Sequence, residues 1–303
     1  MEISQGVSVV IPTYNRRDDV LRCVHSVLKS DDVNFEVIVV DNASTDDTYE
    51  KLMELCDTFP CLKVVLADKN LGAGGGRNLG ASHASGKYLL FLDSDNVIDS
   101  HMIRILTDSI MNSGAGMVGP LMLFGERPDR IWTYFADINP WTSRAHYLGH
   151  KEFYPQSLPR FVDSGHIPNC FMVRREDFEA IGGFDEYYVV MYEEADFAEQ
   201  IKKRLKKKIV IDTHAITYHY VPFDERQSDG CILGMRDAGR AYLLARNRVH
   251  FVRRNCSPLQ KLFFFLVANL AMTFYYYYHF ARAGRWDYAK SYLRGIIAGM
   301  EGR

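Results

Sequence analysis

What this chain lacks narrows its chemistry before any motif is considered. Its six cysteines (Cys23, Cys56, Cys61, Cys170, Cys231 and Cys256) include no Cys-x-x-Cys pair. The spacing therefore supports neither a zinc site nor a disulfide framework, and free thiols in a reducing cytoplasm are the expectation. The formal net charge is only -2, so nothing global draws the chain to nucleic acid. Residues Met1 to Val7 have neither the basic start nor the apolar run of a secretory signal. A dinucleotide fingerprint is missing too. After Gly72 and Gly74 the third glycine of GxGxxG would fall at position 77, which is Arg77, and no such loop follows the first apolar run. What is present is 303 residues, 47% of them hydrophobic, enough to bury a large core in one domain or two.

The first half alternates two periods. Val7–Ile11, Phe35–Val40, Leu62–Leu66 and Tyr88–Leu92 read as short buried strands. Between them, Val20, Val24, Val27 and Leu28 recur at helical spacing, as do Tyr49, Leu52 and Leu55 in a helix that Ser44 or Thr45 can cap. A further helix is expected near 77–84. Strand–helix alternation with buried strands predicts an α/β fold with a doubly wound, mostly parallel, Rossmann-like sheet. Ligands of such sheets lie beyond the carboxyl ends of the strands.

Three polar clusters fall at that edge: Pro12–Asn15, Asp41–Ser44 and Asp93–Asp95. In extended chain Asp93 and Asp95 point to one side. Two hard oxygen donors at that place suit Mg2+ or Mn2+ shared with phosphates, and a polar turn capping a strand fits the same residues. The glycine-rich stretch Gly72–Gly76 with Arg77 offers backbone N–H groups and a cation to phosphate. It serves equally as a tight turn needing positive φ.

The ordered set Val-Val-Ile-Pro-Thr-Tyr-Asn15, Val-Val-Asp41-Asn-Ala-Ser-Thr-Asp, Asn70-x-Gly-x-x-x-x-Arg77-Asn78 and Phe-Leu-Asp93-Ser-Asp95 resembles the family-2 inverting glycosyltransferases of GT-A fold. Asn169-Cys-Phe-Met-Val-Arg-Arg, Ile181-Gly-Gly-Phe-Asp-Glu186, Tyr192-Glu193-Glu194-Ala-Asp196-Phe and Tyr218-His219-Tyr220 extend the likeness over roughly residues 7–221. Tyr242-Leu-Leu-Ala-Arg246-Asn247-Arg and Arg294–Gly302 are similar to the rhamnosyltransferase-like group. The resemblance implies a nucleotide-sugar site made by Pro12, Thr13, Tyr14, Asn15, Asp41, Ala43, Gly76, Arg77, Asp93 and Ser94. Arg77 would lie near the diphosphate. Asp93, Asp95 and His219 would hold the divalent metal. It also implies a carboxylate base. The family's Glu-Asp pair reads Glu-Glu here, and Glu194 matches its second member, which leaves Glu193 and Asp196 as the other candidates.

Without the resemblance, Glu193, Glu194 and Asp196 are acids in the first turn of a helix whose apolar stripe is Phe197, Ile201 and Leu205. His219 lies on the strand-like run 209–221, where a satisfied core histidine is the plainer reading. From 119 to 168 the pattern is irregular and rich in aromatics: Trp132, Tyr134, Phe135, Trp141, Tyr147, Phe153 and Tyr154. Most of them are expected in the core, beside an acceptor groove.

The end of the chain differs in charge. From Arg226 to Arg303 thirteen Lys/Arg stand against four Asp/Glu. Leu262–Phe280 is apolar and aromatic apart from Asn269, Thr273, His279 and tyrosine hydroxyls. As a helix this run is about 28 Å long, barely the hydrocarbon thickness. Its tyrosines and basic flanks suit a membrane surface along residues 246–285 better than a span. A layer packed on the catalytic domain, or on a second copy in a homo-oligomer, is the alternative.

The expectation is therefore a GT-A catalytic domain at 1–225, with a nucleotide-sugar half (1–118) and an acceptor half (119–225), followed by a helical tail at 226–303. It would transfer a hexosyl or deoxyhexosyl unit from a UDP- or dTDP-sugar to a glycan or lipid-linked glycan. Its place would be the cytoplasm, peripheral on the cytoplasmic face of the cell membrane. Two other classes remain: a nucleotidyltransferase acting on sugar phosphates, against which Pro12–Arg17 lacks a Gly-rich first loop, and a non-catalytic scaffold of the same fold.

Overall fold

The computed structural model describes residues 4–31, 34–154, 157–223, 235 and 237–302. They form two compact units. The first comprises 1–137, 147–189 and 193–223, and the second 138–146, 190–192 and 224–303. The expected boundary at 225/226 falls outside the described residues.

The first unit opens with β1 (Ser4–Thr13), α1 (Arg17–Val27), β2 (Phe35–Asp41), α2 (Thr48–Cys56), β3 (Leu62–Leu66), α3 (Gly72–His83) and β4 (Gly86–Leu92). β1 pairs in parallel with both β2 and β4, and β2 with β3. Val9, Val10, Ile11, Val37–Val40 and Leu89–Leu92 are all buried, as strands covered on both faces must be. After β5 (Asn96–Ile98) and α4 (Met102–Ser113) come β6 (Met117–Phe124) and β7 (Ile131–Thr133). The ribbon strands β8 (Phe135–Ile138) and β9 (Ala145–Leu148) follow, and then β10 (Phe161–Asp163), β11 (Cys170–Arg174), α5 (Arg175–Ile181), α6 (Glu193–Gln200) and β12 (Ile209–His219). The main sheet runs β10-β12-β6-β11-β4-β1-β2-β3, with β5 on β12 and β7 on β6. β11 is antiparallel to both β4 and β6, while β12 and β6 are parallel. The sheet is thus mixed but mostly parallel in its first half, in an α/β fold.

Two local expectations need correction. The glycine-rich stretch is the body of α3 and not a turn ahead of it. Only Gly72 takes a positive φ, +75°. The other glycines permit close packing: a Cβ on Gly80 would lie 2.3 Å from Val10 Cγ1, and one on Gly76 would lie 2.9 Å from Pro12 Cβ. Ser44 and Thr45 do not cap α2. Asp46 Oδ1 accepts from Thr48 N and Oγ1, because Ser44 and Thr45 are committed to Asn15 across the loop.

The second unit is helical: α7 (Ala238–Asn255), α8 (Pro258–Phe263), a π-helical turn (Phe264–Ala268), α9 (Asn269–Arg282) and α10 (Trp286–Glu301). Ser257 and Gln260 form a capping box ahead of α8, with Pro258 at its first position. The core is Ala241, Ala245, Val249 and Val252 of α7 against Phe264, Phe280, Tyr288, Tyr292 and Ile296. Bare backbone at Gly295 and Gly299 lets α10 approach α7, since a Cβ at Gly295 would stand 2.2 Å from Tyr242 O. The run 258–282 is long and apolar enough to cross a membrane. Its outward face carries Leu259, Leu262, Leu266, Leu270 and Phe274, the last 72% exposed.

Candidate active site

Apart from Gly76 and Arg77 in the body of α3, the functional side chains stand near the ends of strands or in the first turn of a helix. At the carboxyl end of β1, Thr13 is buried, and Tyr14 and Asn15 are exposed. At the end of β2, Asp41 Oδ1 accepts from Ser44 N at 2.9 Å. Ala43 carries a positive φ of 60° and Asn15 one of 50°, which turns both loops sharply. Thr13 Oγ1, Asp41 Oδ2 and Asn42 Oδ1 are buried without a hydrogen-bond partner. Orphaned polar atoms of this kind are costly unless a ligand meets them. Gly76 packs on this pair of loops, its missing Cβ leaving room for Asn42 Nδ2 and Pro12.

The centre is Arg77, which rises from α3 and is wholly buried. Its Nη2 donates to Asp93 Oδ1 and to Glu194 Oε1 (2.7 Å), and its Nη1 to Glu193 Oε1 (3.2 Å). One cation thus gathers the carboxylate that ends β4 and the two that open α6. Burial works against the guanidinium's charge, but Asp93, Glu194 and Glu193 outweigh it and hold its pKa above the ordinary value. Three carboxylates share that single charge, and burial raises all three. Glu194 is pushed up to about 8, with Arg77 opposing, and Asp93 and Glu193 move the same way. Arg77 is thus an internal clamp on three carboxylates.

Asp95 faces a different set. Arg16 Nη1 donates to its Oδ2 at 2.7 Å, and His219 Nε2 stands 3.5 Å from its Oδ1. Burial pushes the Asp95 carboxyl up, yet His219 and Arg16 together hold it below the ordinary value. Trp132 lies edge-on to His219 at 4.8 Å between centroids. Ser94 is buried between the two aspartates.

Asn169 joins the two sides. Its N–H donates to Glu194 Oε1 at 2.8 Å, its carbonyl accepts from Asp93 N at 2.8 Å, and its amide nitrogen lies 3.3 Å from His219 Nδ1. A positive φ of 62° lets one residue serve all three. Neither its role nor that of Arg16 is visible in the sequence. An asparagine opening a strand is a weak signal, and Arg16 meets Asp95 across 79 positions.

The three candidate bases differ in access. Glu193 is buried with its Oε2 unpartnered. Asp196 is buried and accepts from Tyr188 OH at 3.2 Å. Glu194 keeps 14% of its side chain open.

Metal ligands are less assembled than the resemblance implies: among the described residues, no group of three or more His, Cys, Asp or Glu is gathered as a cation site. Arg77 and Arg16 occupy the two aspartates. The donor set nevertheless fits a divalent cation. Asp95 and His219 already face one another, Asp93 retains 30% exposure, and carboxylate oxygens are the donors Mg2+ and Mn2+ prefer.

The aromatics of 119–168 also depart from expectation. Trp141, Tyr147 and Phe153 are exposed, and Trp132, Tyr134, Phe135 and Tyr154 are half-buried. In short strands and loops, large rings have no second layer to cover them.

Immediately before Glu193 the backbone is strained. Val189 (φ 60°), Met191 (φ 68°) and Tyr192 (φ 74°) are left-handed, each at a cost on the order of 1–3 kcal/mol.

The family model for glycosyl transferase family 2 matches residues 8–182, more than half of the chain. Glycosyltransferase GlyG of Streptococcus pneumoniae is 33% identical over 120 residues, 38% of each chain. The UDP-Glc:alpha-D-GlcNAc-diphosphoundecaprenol beta-1,3-glucosyltransferase WfgD of Escherichia coli is 36% identical over 91 residues, 30% of this chain and 35% of its own. The chain thus spans well under half the length of these relatives. The crystal structure of GalNAc-T7 with UDP, GalNAc and Mn2+ superposes with a TM-score of 0.62 at 18% identity, covering 85% of this chain and 53% of the other. At that identity the likeness concerns the fold alone.

Proposed function

The chain belongs to glycosyl transferase family 2, and from that premise we propose that it transfers a sugar, with inversion, from a nucleotide-diphosphate donor to a hydroxyl of a glycan acceptor. The observation that carries this reading is Arg77, which draws Asp93 on the donor side and Glu193–Glu194 on the acceptor side to one point.

The orphaned atoms of Thr13, Asp41 and Asn42, with exposed Tyr14 beside them, receive the base and ribose of a UDP- or dTDP-sugar. Pro12, Asn15, Ala43, Gly76 and Ser94 shape that pocket. A divalent cation, Mg2+ or Mn2+, held by Asp93, Asp95 and His219, would neutralise charge gathering on the leaving diphosphate. Glu194 takes the proton of the acceptor hydroxyl. As that oxygen bonds to the anomeric carbon, the bond from carbon to the diphosphate oxygen breaks on the opposite face, and the nucleoside diphosphate departs. Glu194 is favoured over Glu193 and Asp196 because it alone of the three keeps an open face.

The acceptor is a glycan, and the bare apolar face of the helical unit favours a lipid-linked one. Leu262, Leu266, Leu270 and Phe274 stand outward between the basic residues Arg254, Lys261, Arg282 and Arg285. That pattern is the one by which a helix lies in an anionic bilayer surface along 246–285, here the cytoplasmic face of the cell membrane. Vesicles containing phosphatidylglycerol should retain the protein, and Leu266→Glu/Phe274→Glu should release it. Retention of that variant, or a stable dimer that the variant dissociates, assigns the face to something other than lipid.

For the site, purified protein is titrated with UDP and dTDP with and without Mn2+. Metal-linked nucleotide binding that Asp93→Ala/Asp95→Ala abolishes is the expected result. No nucleotide binding by the unmodified chain favours a scaffold and overturns the reading.

A further inference from the structure

Asn247 belongs to the Arg246-Asn247-Arg248 stretch of α7, to which the glycosyl-transfer reading gives no task. Asparagine is a poor helix former in mid-helix, and here it is also wholly buried. Its side chain turns back to the main chain of residues 190–192. Nδ2 donates to Val190 O at 2.8 Å and to Met191 O at 3.0 Å, while Oδ1 accepts from Arg246 Nε at 3.1 Å. Both carbonyls can only accept and Arg246 Nε can only donate, so one orientation of the amide satisfies all three bonds.

The segment it grips does not hold its shape by itself. Val189 has φ 60° and ψ −58°, and Met191 and Tyr192 are left-handed too. Side-chain-bearing residues leave that region unless their surroundings over-determine it. Each end of the segment is fixed. Ala73 N donates to Val189 O at 2.7 Å, beside Gly72, where a Cβ would stand 2.3 Å from that oxygen. Tyr192 OH donates to Ser143 O at 2.5 Å, and its ring packs on Phe251. The two carbonyls between these anchors are the ones Asn247 holds. Tyr192 is followed directly by Glu193 and Glu194, so the conformation of 189–192 sets where both carboxylates leave the backbone.

We propose that Asn247 is a positioning residue for the transfer: by clamping the carbonyls of Val190 and Met191 it fixes the loop from which Glu193 and Glu194 are presented. This rests on the glycosyl-transfer reading, since only there do those carboxylates have a reactive partner. The clamp acts on the backbone that leads into the base, while the proposed base and ribose contacts Thr13, Tyr14, Asp41 and Asn42 end or follow β1 and β2.

The test uses the full chain and whichever UDP- or dTDP-sugar of a panel the unmodified protein hydrolyses fastest with Mn2+. Asn247→Ala is expected to lower kcat about 100-fold, the scale of a misplacement near 1 Å. Calorimetric Kd for UDP with Mn2+ should stay within about twofold, because a positioning defect separates kcat from donor binding. Tyr192→Phe, which removes only the Ser143 anchor, is expected to lower kcat severalfold with the same unchanged Kd, and it decides the matter if Asn247→Ala does not fold. Unchanged kcat with a lowered melting temperature would make Asn247 purely structural and overturn the proposal. So would parallel loss of kcat and UDP affinity. If the unmodified chain neither binds UDP nor hydrolyses any donor, the glycosyl-transfer reading falls first, a result the variants cannot mimic.

Discussion

Among the described residues two arginines are buried, one in each unit, and their company differs. Arg77 is surrounded by the carboxylates of Asp93, Glu193 and Glu194. Arg248 donates to the hydroxyls of Tyr292 (3.0 Å) and Tyr276 (3.2 Å) and lies over the Tyr276 ring at 5.4 Å. Burial opposes the charge of each, and in each case the neighbours win and raise the pKa. The helical unit spends its cation on neutral hydroxyls and a ring face, which ties α7 to α9 and α10. The sheet unit leaves three acids to one cation, a surplus of negative charge that packing alone does not require. A surplus of that kind marks a place where charge is to be used.

The largest effect should come from breaking the surplus at the residue proposed to use it. Glu194→Gln keeps the shape and the hydrogen bond to Asn169 but cannot take a proton. We expect kcat for transfer to fall about 10²–10⁴-fold with little change in UDP affinity. A variant within threefold of the unmodified chain would move the base to Glu193 or Asp196. The same group gives a pH signature with two opposite signs. Its folded pKa of about 8 exceeds its ordinary 4.5, so between those values the folded state keeps a proton that the unfolded chain has released. The stabilising contribution is full below about pH 4.5 and is lost as pH rises through about 8. Activity, which needs the ionised form, rises over that window, with an apparent pKa belonging to the coupled carboxylates as a group. Stability followed by urea titration and kcat followed from pH 5 to 9 should therefore diverge, and in Glu194→Gln both slopes should flatten.

Next in size is the clamp itself. Arg77→Met removes the cation that, among the described residues, reaches all three acids and leaves them buried with each other. Loss of one partner from a buried ionic cluster costs about 3–5 kcal/mol, and chemical denaturation should register it more strongly as pH rises through about 8, where Glu194 of the unmodified chain ionises. Glu193→Gln in that background should recover part of the loss by removing one repulsive charge. An Arg77→Met chain as stable as the unmodified one would mean that the carboxylates take up protons at no cost, and the surplus would carry no meaning.

How much of this was legible beforehand divides along the same line. The sheet unit is built from local signals. Runs such as Val37–Val40 and Leu89–Leu92 can only be buried strands, and Asp41, Asp93 and Asp95 stand at their ends because the runs stop there. Glu193 and Glu194 open a helix whose apolar stripe begins at Phe197. Burial of Arg77 was not legible, because a glycine-rich stretch ahead of an arginine reads equally as a phosphate loop or as a tight turn, and neither reading lays it as a helix on a strand. Only the space beside Val10 and Pro12 decides for the helix. Asn169 and Arg16 act across long separations and leave no trace in spacing. The left-handed turn at Val189, Met191 and Tyr192 runs against the preferences of all three residues, so sequence reasoning points away from it. The tail's apolar run was plain in composition, but not which of its faces is bare: Phe264 and Phe280 are interior and Phe274 is exposed, and neighbouring helices decide that.

The smallest effect should come from the other arginine, and it is the control that gives the comparison its force. Arg248→Met takes away two hydrogen bonds to tyrosine, each worth about 1 kcal/mol, and a ring contact of similar size. It also removes the cost of keeping a guanidinium out of water, which for buried ions is often as large as what their partners return. The two nearly cancel, so the melting behaviour should stay within about 1 kcal/mol of the unmodified chain, with no dependence on pH between 5 and 8, since burial raises the Tyr292 hydroxyl far above that range. A loss as large as that of Arg77→Met would show that a buried arginine is expensive to remove whatever surrounds it. The carboxylates around Arg77 would then need no functional explanation. A loss confined to Arg77 leaves charge surplus as the difference between the two sites, and with it the case that Asp93 and Glu194 are held ready for chemistry.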